Sequence, residues 1–201
     1  MTAMPIRTRT IERKTRETDI SVTVELDGAG SVDVETGVPF LDHMLDALGR
    51  HGQLNLRVRC AGDVVIDAHH SVEDVGIVIG MAVRDALGDR AGIARYGYAY
   101  APLDEALART VIDVSGRPYF VFTGELPEPV IGADFAASLV EEFWRAFATN
   151  AGFTMHIDLL RSRNSHHAAE AVFKSAALAI HAATRISRST MAIPSTKGVL
   201  A

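Results

Sequence analysis

The sequence predicts an α+β protein made of two copies of a β-β-α-β-α unit, with sheets packed against a layer of helices. Segments that alternate between apolar and polar residues, as strands do, are followed by segments with the three-to-four-residue spacing of helices. The same order of segments then recurs, which indicates an internal duplication. The chain has 201 residues, 48% of them apolar, and can therefore bury a core as one domain or as two small fused ones.

The first copy is predicted in residues 1–92. Its opening strands are joined by the turn Gly28-Ala29-Gly30, and its first helix carries an apolar stripe that includes Leu41, Met44 and Leu45. The predicted elements are strands 18–28 and 31–36, helix 39–50, strand 53–60 and a helix that starts at a histidine pair and extends through 75–87.

The second copy is predicted in residues 93–201, together with a C-terminal tail. Its predicted elements are strands 97–104, 106–115 and 118–123, helix 134–149, strand 153–159 and helix 166–184. The register can be checked by placing His43 on Glu142, which aligns Leu54 with Phe153 and keeps the apolar strand positions in step. We expect the two halves to form one compact unit.

The motif H-H-x-x-E begins the last helix of each half. It occurs once as A-H-H-S-V-E-D and once as S-H-H-A-A-E-A, and the two copies coincide in the register of the duplication. One such motif is equally explained by a solvated helix start, but its repetition in register favours metal binding. Successive helical side chains diverge by about 100°. Each histidine pair is therefore predicted to divide its imidazoles between two ions.

The duplication extends the candidate ligand set to the first helix of each half, where His43 corresponds to Glu142. The predicted metal ligands are His43, His69, His70, Glu73, Glu142, His166, His167 and Glu170. Mixed imidazole and carboxylate ligands suit Mn, Fe, Zn, Ni or Co better than Mg or Ca. The ligand types do not distinguish between Mn, Fe, Zn, Ni and Co.

A second group of residues suggests an anion site. The tail P-S-T-K-G offers hydroxyls, a cation and a flexible backbone, although a disordered tail is the commoner explanation of such a segment. A lysine two helical turns beyond the second histidine pair, and two arginines near predicted strand ends, add positive charge; each arginine alone is more often a surface charge. The candidate phosphate-binding residues are Arg95, Arg117, Lys174, Ser195 and Lys197.

Composition excludes several other classes of protein. The net charge of −5 and the pI near 5.9 argue against a nucleic-acid binder with a basic surface. Cys60 is the single cysteine, so neither a disulfide framework nor a cysteine zinc site is expected. The N-terminal residues lack the apolar core of a signal peptide, and no apolar run reaches membrane-spanning length. We expect a soluble, cytoplasmic protein.

Several segments resemble one enzyme family. D-A-H-H-S-V-E-D-V-G and R-N-S-H-H-A-A-E-A-V-F-K are similar to the two signature segments of imidazoleglycerol-phosphate dehydratase, and R-K-T-R-E-T-D-I-S-V, G-V-P-F-L-D-H-M-L, D-V-S-G-R-P-Y and P-S-T-K-G resemble the same family. The resemblance covers essentially the whole chain. Without a fused phosphatase domain, it indicates the monofunctional form, and it implies halves of the ribosomal protein S5 domain 2-like fold.

The resemblance implies a hydro-lyase of histidine biosynthesis that converts D-erythro-imidazole-glycerol phosphate to imidazole-acetol phosphate. It also implies two Mn²⁺ ions per active site and a homo-oligomer of 24 subunits with active sites between subunits. Carried over residue by residue, the resemblance assigns all of the predicted metal ligands except Glu142 to the metal ions. It assigns Glu17 to the substrate, and it assigns to the phosphate group Arg95, Arg117, Lys174, Ser195 and Lys197. Many family members have histidine where this chain has Glu142, so we expect a carboxylate variant of that ligand position.

The implied chemistry fits the candidate site. The proton to be removed lies beside an imidazole ring, and an imidazole held by two metals through its nitrogens can be stabilised as an imidazolate. Loss of the adjacent hydroxyl then gives an enol that becomes the ketone. The acid–base candidates are Glu17, Asp104 and Glu105, without a ranking among them. The predicted catalytic residues are Glu17, Asp104, Glu73 and Glu170.

Two other functions remain open from the residues alone. One is a dinuclear metallohydrolase that cleaves a phosphate ester with a metal-bound hydroxide. The other is an assembly or storage protein in which metal ions join subunits without turnover. The candidate phosphate-binding group favours an enzyme, because a purely structural metal does not require a phosphate site.

Overall fold

The computed structural model describes residues 7–187, 192–196, 198 and 200. The first half contains β1 Thr8–Lys14, β2 Thr18–Glu25, β3 Val32–Glu35, α1 Pro39–Gly52, β4 Asn55–Gly62 and α2 His69–Leu87. The second half contains β5 Tyr96–Leu103, β6 Ala106–Asp113, β7 Tyr119–Thr123, β8 Val130–Ile131, β9 Phe135–Ala136, α3 Ser138–Ala151, β10 Thr154–Arg161 and α4 Ser165–Thr184. We propose that the boundary between the halves lies at residues 92 and 93.

The two main sheets have the same topology. Their strand orders are β1-β2-β4-β3 and β5-β6-β10-β7, and in each the last pair is parallel while the other pairs are antiparallel. Apolar residues alternate along the central strands and are buried on one face, as in Ile20, Val22 and Val24 of β2. The predicted α+β fold and its duplication are therefore confirmed.

The structure adds one strand to the first half and shortens one predicted helix. β1 pairs with β2 along its whole length, yet its sequence T-R-T-I-E-R-K has a single large apolar residue, Ile11, and so lacks the alternation of a half-buried strand. The helix predicted over 134–149 begins at Ser138, because β8 and β9 form a short hairpin that buries Phe135. Phe135 alone did not distinguish a strand from a helix, because a single apolar residue is compatible with both.

Side chains that precede the two histidine-bearing helices accept hydrogen bonds from backbone N–H groups in the first turn of each helix. The Asn164 side chain accepts a hydrogen bond from the His167 backbone N–H at 3.1 Å, which satisfies one of the open donors in the first turn of α4. At α2, the Asp67 carboxylate accepts from the His69 N–H at 2.8 Å. Both histidine pairs therefore lie in the first turn of a helix.

Among the described residues, no helix is long and apolar enough to cross a lipid bilayer.

The helices pack across the two halves. α2 lies on β1 and β2 and packs against α3, whereas α4 lies on β5 and β6 and packs against α1. The α2–α3 contact is close: a Cβ on Gly76 would lie 2.7 Å from the Phe143 carbonyl oxygen, and one on Gly80 would lie 2.6 Å from that of Phe147. The large side chains Phe143, Trp144 and Phe147 are fully buried, as expected from the sequence. This crossed arrangement brings residues of both halves together at the helix N-termini.

Candidate metal centre

The first cluster, which we call cluster 1, joins His43 of α1 to His166 and Glu170 of α4. One nitrogen or oxygen atom from each of these residues lies within 4.8 Å of the others. Glu170 Oε2 is 3.5 Å from His43 Nε2 and 3.6 Å from His166 Nε2. The other oxygen, Oε1, is 2.6 Å from Lys174 Nζ one turn further along α4. The Phe40 ring packs edge-on against His166, with ring centroids 5.2 Å apart, and limits the movement of that imidazole.

The second cluster, cluster 2, joins His69 and Glu73 of α2 to Glu142 of α3, again within 4.8 Å. Glu73 Oε2 is 3.5 Å from His69 Nε2. Arg145, one turn after Glu142, donates Nε to Glu142 Oε2 at 3.1 Å and Nη2 to Glu142 Oε1, and the same Nη2 lies 3.2 Å from Glu73 Oε1. Each cluster thus takes residues from one helix of each half, and His43 and Glu142 occupy equivalent places in the two clusters.

The remaining histidine of each pair faces a different set of carboxylates. His70 Nδ1 lies 3.0 Å from Asp63 Oδ2, and its Nε2 is 3.8 Å from Glu17 Oε1. In the second half, His167 Nδ1 lies 2.9 Å from Glu105 Oε2, and Asp104 belongs to the same group. The rings of each pair are nearly perpendicular, at 89° and 83°. Within one chain, the two histidines of each pair therefore contact different groups of carboxylates.

Neighbouring charges shift the pKa values of several of these groups. The hydrogen bond to Asp63 raises the pKa of His70, and the hydrogen bond to Glu105 raises that of His167. Arg145 lowers the pKa of Glu142. Burial by itself would raise the pKa of Glu170, but the Lys174 hydrogen bond and charge outweigh it and the pKa is lowered. The Glu142 and Glu170 carboxylates are therefore held in their anionic form, which is the form that binds cations.

Replacing Glu105 by glutamine should lower the pKa of His167 toward its ordinary value, because the negative charge that favours the imidazolium is removed. Metal binding requires a neutral imidazole, so competition from protons should then occur at lower pH than in the unmodified protein. A pH titration of the metal-depleted protein, followed by NMR of the histidine rings, measures the shift. Glu125→Gln, a change at an exposed acid outside these groups, is the control and should leave His167 unchanged.

Among the described candidates for phosphate binding, Lys174 lies at cluster 1, whereas Arg95, Arg117 and Ser195 lie elsewhere. Arg95 pairs with Asp113 at 2.7 Å and donates a side-chain hydrogen bond to the Pro194 carbonyl. Its backbone N–H donates to the Ala183 carbonyl, near the C-terminal end of α4. His167 and Ala183 are about 24 Å apart along that helix, at 1.5 Å per residue.

Two other candidates for phosphate binding lie near Arg95 in the structure. Arg117 is exposed in the turn after β6, at the end of the strand where Asp113 lies, and Ser195 follows the Pro194 that contacts Arg95. Lys197 lies outside the described residues. Within one chain, Arg95, Arg117 and Ser195 are therefore grouped at the end of the second sheet that is remote from the histidine pairs.

Sequence reasoning missed two residues that contact the candidate ligands. Asp63 follows β4 and falls in the loop where the register of the duplication shifts, so no counterpart marked it. Arg145 had a usable signal, because it stands three residues after Glu142 and residues at that spacing are neighbours on a helix. Asp63 contacts the candidate ligand His70, and Arg145 contacts the candidate ligand Glu142.

The duplicated α+β fold carries two related histidine–carboxylate clusters, each of a kind that could hold a metal ion. The family model described as imidazoleglycerol-phosphate dehydratase matches residues 36–180. The chain is 52% identical over 196 residues to the imidazoleglycerol-phosphate dehydratase of Rhodopseudomonas palustris strain TIE-1, covering 97% of this chain and 99% of the relative. It is 54% identical to that of Dinoroseobacter shibae, covering 97% and 100%.

Solved structures give the same result. The crystal structure of the Staphylococcus aureus imidazoleglycerol-phosphate dehydratase matches with a TM-score of 0.81 and 39% identity, covering 90% of this chain and 99% of that one. The structure from Pyrococcus furiosus matches with a TM-score of 0.81 and 34% identity, covering 94% and 100%. The chain belongs to the imidazoleglycerol-phosphate dehydratase family, and it is therefore a hydro-lyase.

Proposed function

We propose that this chain converts D-erythro-imidazole-glycerol phosphate to imidazole-acetol phosphate, the dehydration step of histidine biosynthesis, with two Mn²⁺ ions per active site. The observation that carries the proposal is the presence, in a member of this family, of two clusters related by the internal duplication, each with imidazole and carboxylate donors. Such mixed donors suit Mn²⁺ and its first-row neighbours.

The donor sets fit a divalent ion. Each cluster offers three side chains whose donor atoms already lie within 4.8 Å of one another, and each includes at least one carboxylate. His70 and His167 turn away from the clusters of their own chain, and we assign them to ions shared with neighbouring subunits. The proposed ligands are His43, His69, His70, Glu73, Glu142, His166, His167 and Glu170. When bound, the ions supply Lewis acidity that favours the imidazolate form of the substrate ring.

The chain's own carboxylates supply the proton transfers. Glu17 and Asp104 lie beside the second histidine of the first and second pair respectively. To these two groups we assign removal of the carbon-bound proton and delivery of a proton to the departing hydroxyl. Glu105 has a different role, because its Oε2 is held by His167 Nδ1, and it fixes the orientation of that ring. Glu73 and Glu170 act as ligands within clusters 2 and 1.

We further propose that the active site lies between subunits of a homo-oligomer of 24 chains. Arg95, Arg117, Ser195 and Lys197 are assigned to the substrate phosphate, together with Lys174. In one chain the backbone of Arg95 is hydrogen-bonded to Ala183, which lies about 24 Å from His167 along α4. A substrate of this size extends no more than about 10 Å, given ordinary bond lengths. Arg95 and His167 of the same chain therefore cannot both contact one substrate molecule.

The direct test is turnover of imidazole-glycerol phosphate by Mn²⁺-loaded protein. The expected product is the acetol phosphate, with the phosphate ester retained. Release of inorganic phosphate would instead indicate a hydrolase. An assembled, Mn²⁺-loaded protein that gives no product at all would overturn the assignment and favour a structural role for the ions.

A further inference from the structure

Cluster 2 contains a cation that cluster 1 does not have at the equivalent place. The register that places His43 on Glu142 places Asp46 on Arg145. Asp46 forms an ion pair with Arg50 at 2.7 Å, on the surface of α1, whereas Arg145 forms ion pairs with Glu142 and Glu73. The arginine therefore stands three residues after the ligand candidate that is a carboxylate, and an acid stands three residues after the equivalent candidate that is a histidine.

The contacts of Arg145 distinguish it from a chance surface charge. Its guanidinium contacts both oxygens of Glu142 and one oxygen of Glu73, leaving Glu73 Oε2 directed at His69. A planar guanidinium that bridges two carboxylates fixes the position of both. Its side chain is 49% exposed, while those of Glu142 and Glu73 are 21% and 32% exposed. Arg145 thus covers the two acids from the solvent side.

We propose that Arg145 is the counter-ion of Glu142, and that the Glu142–Arg145 pair stands as a unit where the other half uses a neutral histidine ligand. With neutral imidazoles, the ligands of cluster 1 carry one negative charge, which Lys174 offsets, and those of cluster 2 carry two. Arg145 offsets one of the two charges of cluster 2 and restrains the affinity of that cluster for a divalent ion. This inference rests on the proposed metal centre.

The proposal predicts opposite effects for changes at the two members of the pair. Arg145→Gln should tighten Mn²⁺ binding at one class of sites by about tenfold, because a positive charge a few ångströms from a divalent ion is removed. Glu142→His should weaken binding, since Arg145 then competes with the ion for Glu73. Adding Arg145→Gln to Glu142→His should restore binding, with a gain larger than the same change gives in the unmodified protein.

Titration of metal-depleted, assembled protein with Mn²⁺, followed by the EPR signal of unbound Mn²⁺, measures these affinities. Arg84→Gln is the matched control: it removes the same charge from the far end of α2, where Arg84 pairs with Asp85, and should not change Mn²⁺ binding. Equal or weaker Mn²⁺ binding by Arg145→Gln, with normal binding by the unmodified protein, would overturn this proposal alone. Absence of Mn²⁺ binding by the unmodified protein would overturn the metal centre as well.

Discussion

Replacing Glu170 by glutamine is expected to remove bound metal and to lower kcat/KM by at least about a thousandfold, since metal catalysis contributes several kcal/mol. Glu170 is the acidic member of cluster 1, and its Oε2 faces both His43 and His166. Glutamine has nearly the same shape but no charge. The Lys174 ammonium, 2.6 Å from Glu170 Oε1, would then lose its partner and repel a cation.

Metal content per chain and initial rates at saturating Mn²⁺ test this expectation. Glu141→Gln is the matched control, because Glu141 is an exposed glutamate on α3 that belongs to neither cluster. That variant should retain metal and activity. If Glu170→Gln kept the metal content of the unmodified protein, Glu170 would have to be removed from the ligand set.

Two inactive variants should restore each other's activity when they assemble together. Glu170→Gln affects the metal end of the site, and Arg117→Gln affects the phosphate end. Because the two ends lie far apart in one chain, we expect them to meet only across subunits. In a random one-to-one mixture, about a quarter of the sites would combine an intact Glu170 with an intact Arg117, since each has an even chance at its position.

Coexpression with two different affinity tags, followed by purification through both, gives the mixed oligomers for this measurement. About a quarter of the unmodified activity is the expected result, whereas each variant alone should be nearly inactive. Coexpression of Glu170→Gln with His166→Ala is the control, because both changes disable cluster 1 and no site can be complete. Recovery no greater than in that control would mean that both ends of the site belong to one chain.

Periodicity predicted the duplicated fold because the core elements bury regular stripes. Strand β2 alternates through Ile20, Val22 and Val24, and α1 buries Leu41 and Met44, so the pattern and the burial agree. The strand β1 has no such pattern, since it is held by backbone hydrogen bonds to β2 at the edge of the sheet. Backbone pairing leaves no trace in side-chain hydrophobicity, and that strand could not be predicted in this way.

For the candidate site, too, the sequence predicted some groupings of residues and not others. Helical spacing alone groups His69 with Glu73, and the internal repeat groups His43 with Glu142 as equivalent positions. Neither shows which helix packs on which, so the grouping of Glu142 with His69 depends on the α2–α3 contact. The separation of Arg95 from the second histidine pair likewise follows from the length of α4, because that pair begins the helix and Arg95 is bound near its C-terminal end.

The crossed packing of the helices has a consequence for the origin of the site. Cluster 1 combines α1 with α4, and cluster 2 combines α3 with α2, so neither half holds a complete cluster by itself. A peptide of half this length that associated with a second copy of itself would nevertheless present two identical clusters, related by a twofold axis. Fusion of the two copies frees each cluster to vary separately. The Glu142–Arg145 ion pair, at the position where the other half has His43, is a difference that a symmetric pair of identical chains cannot have.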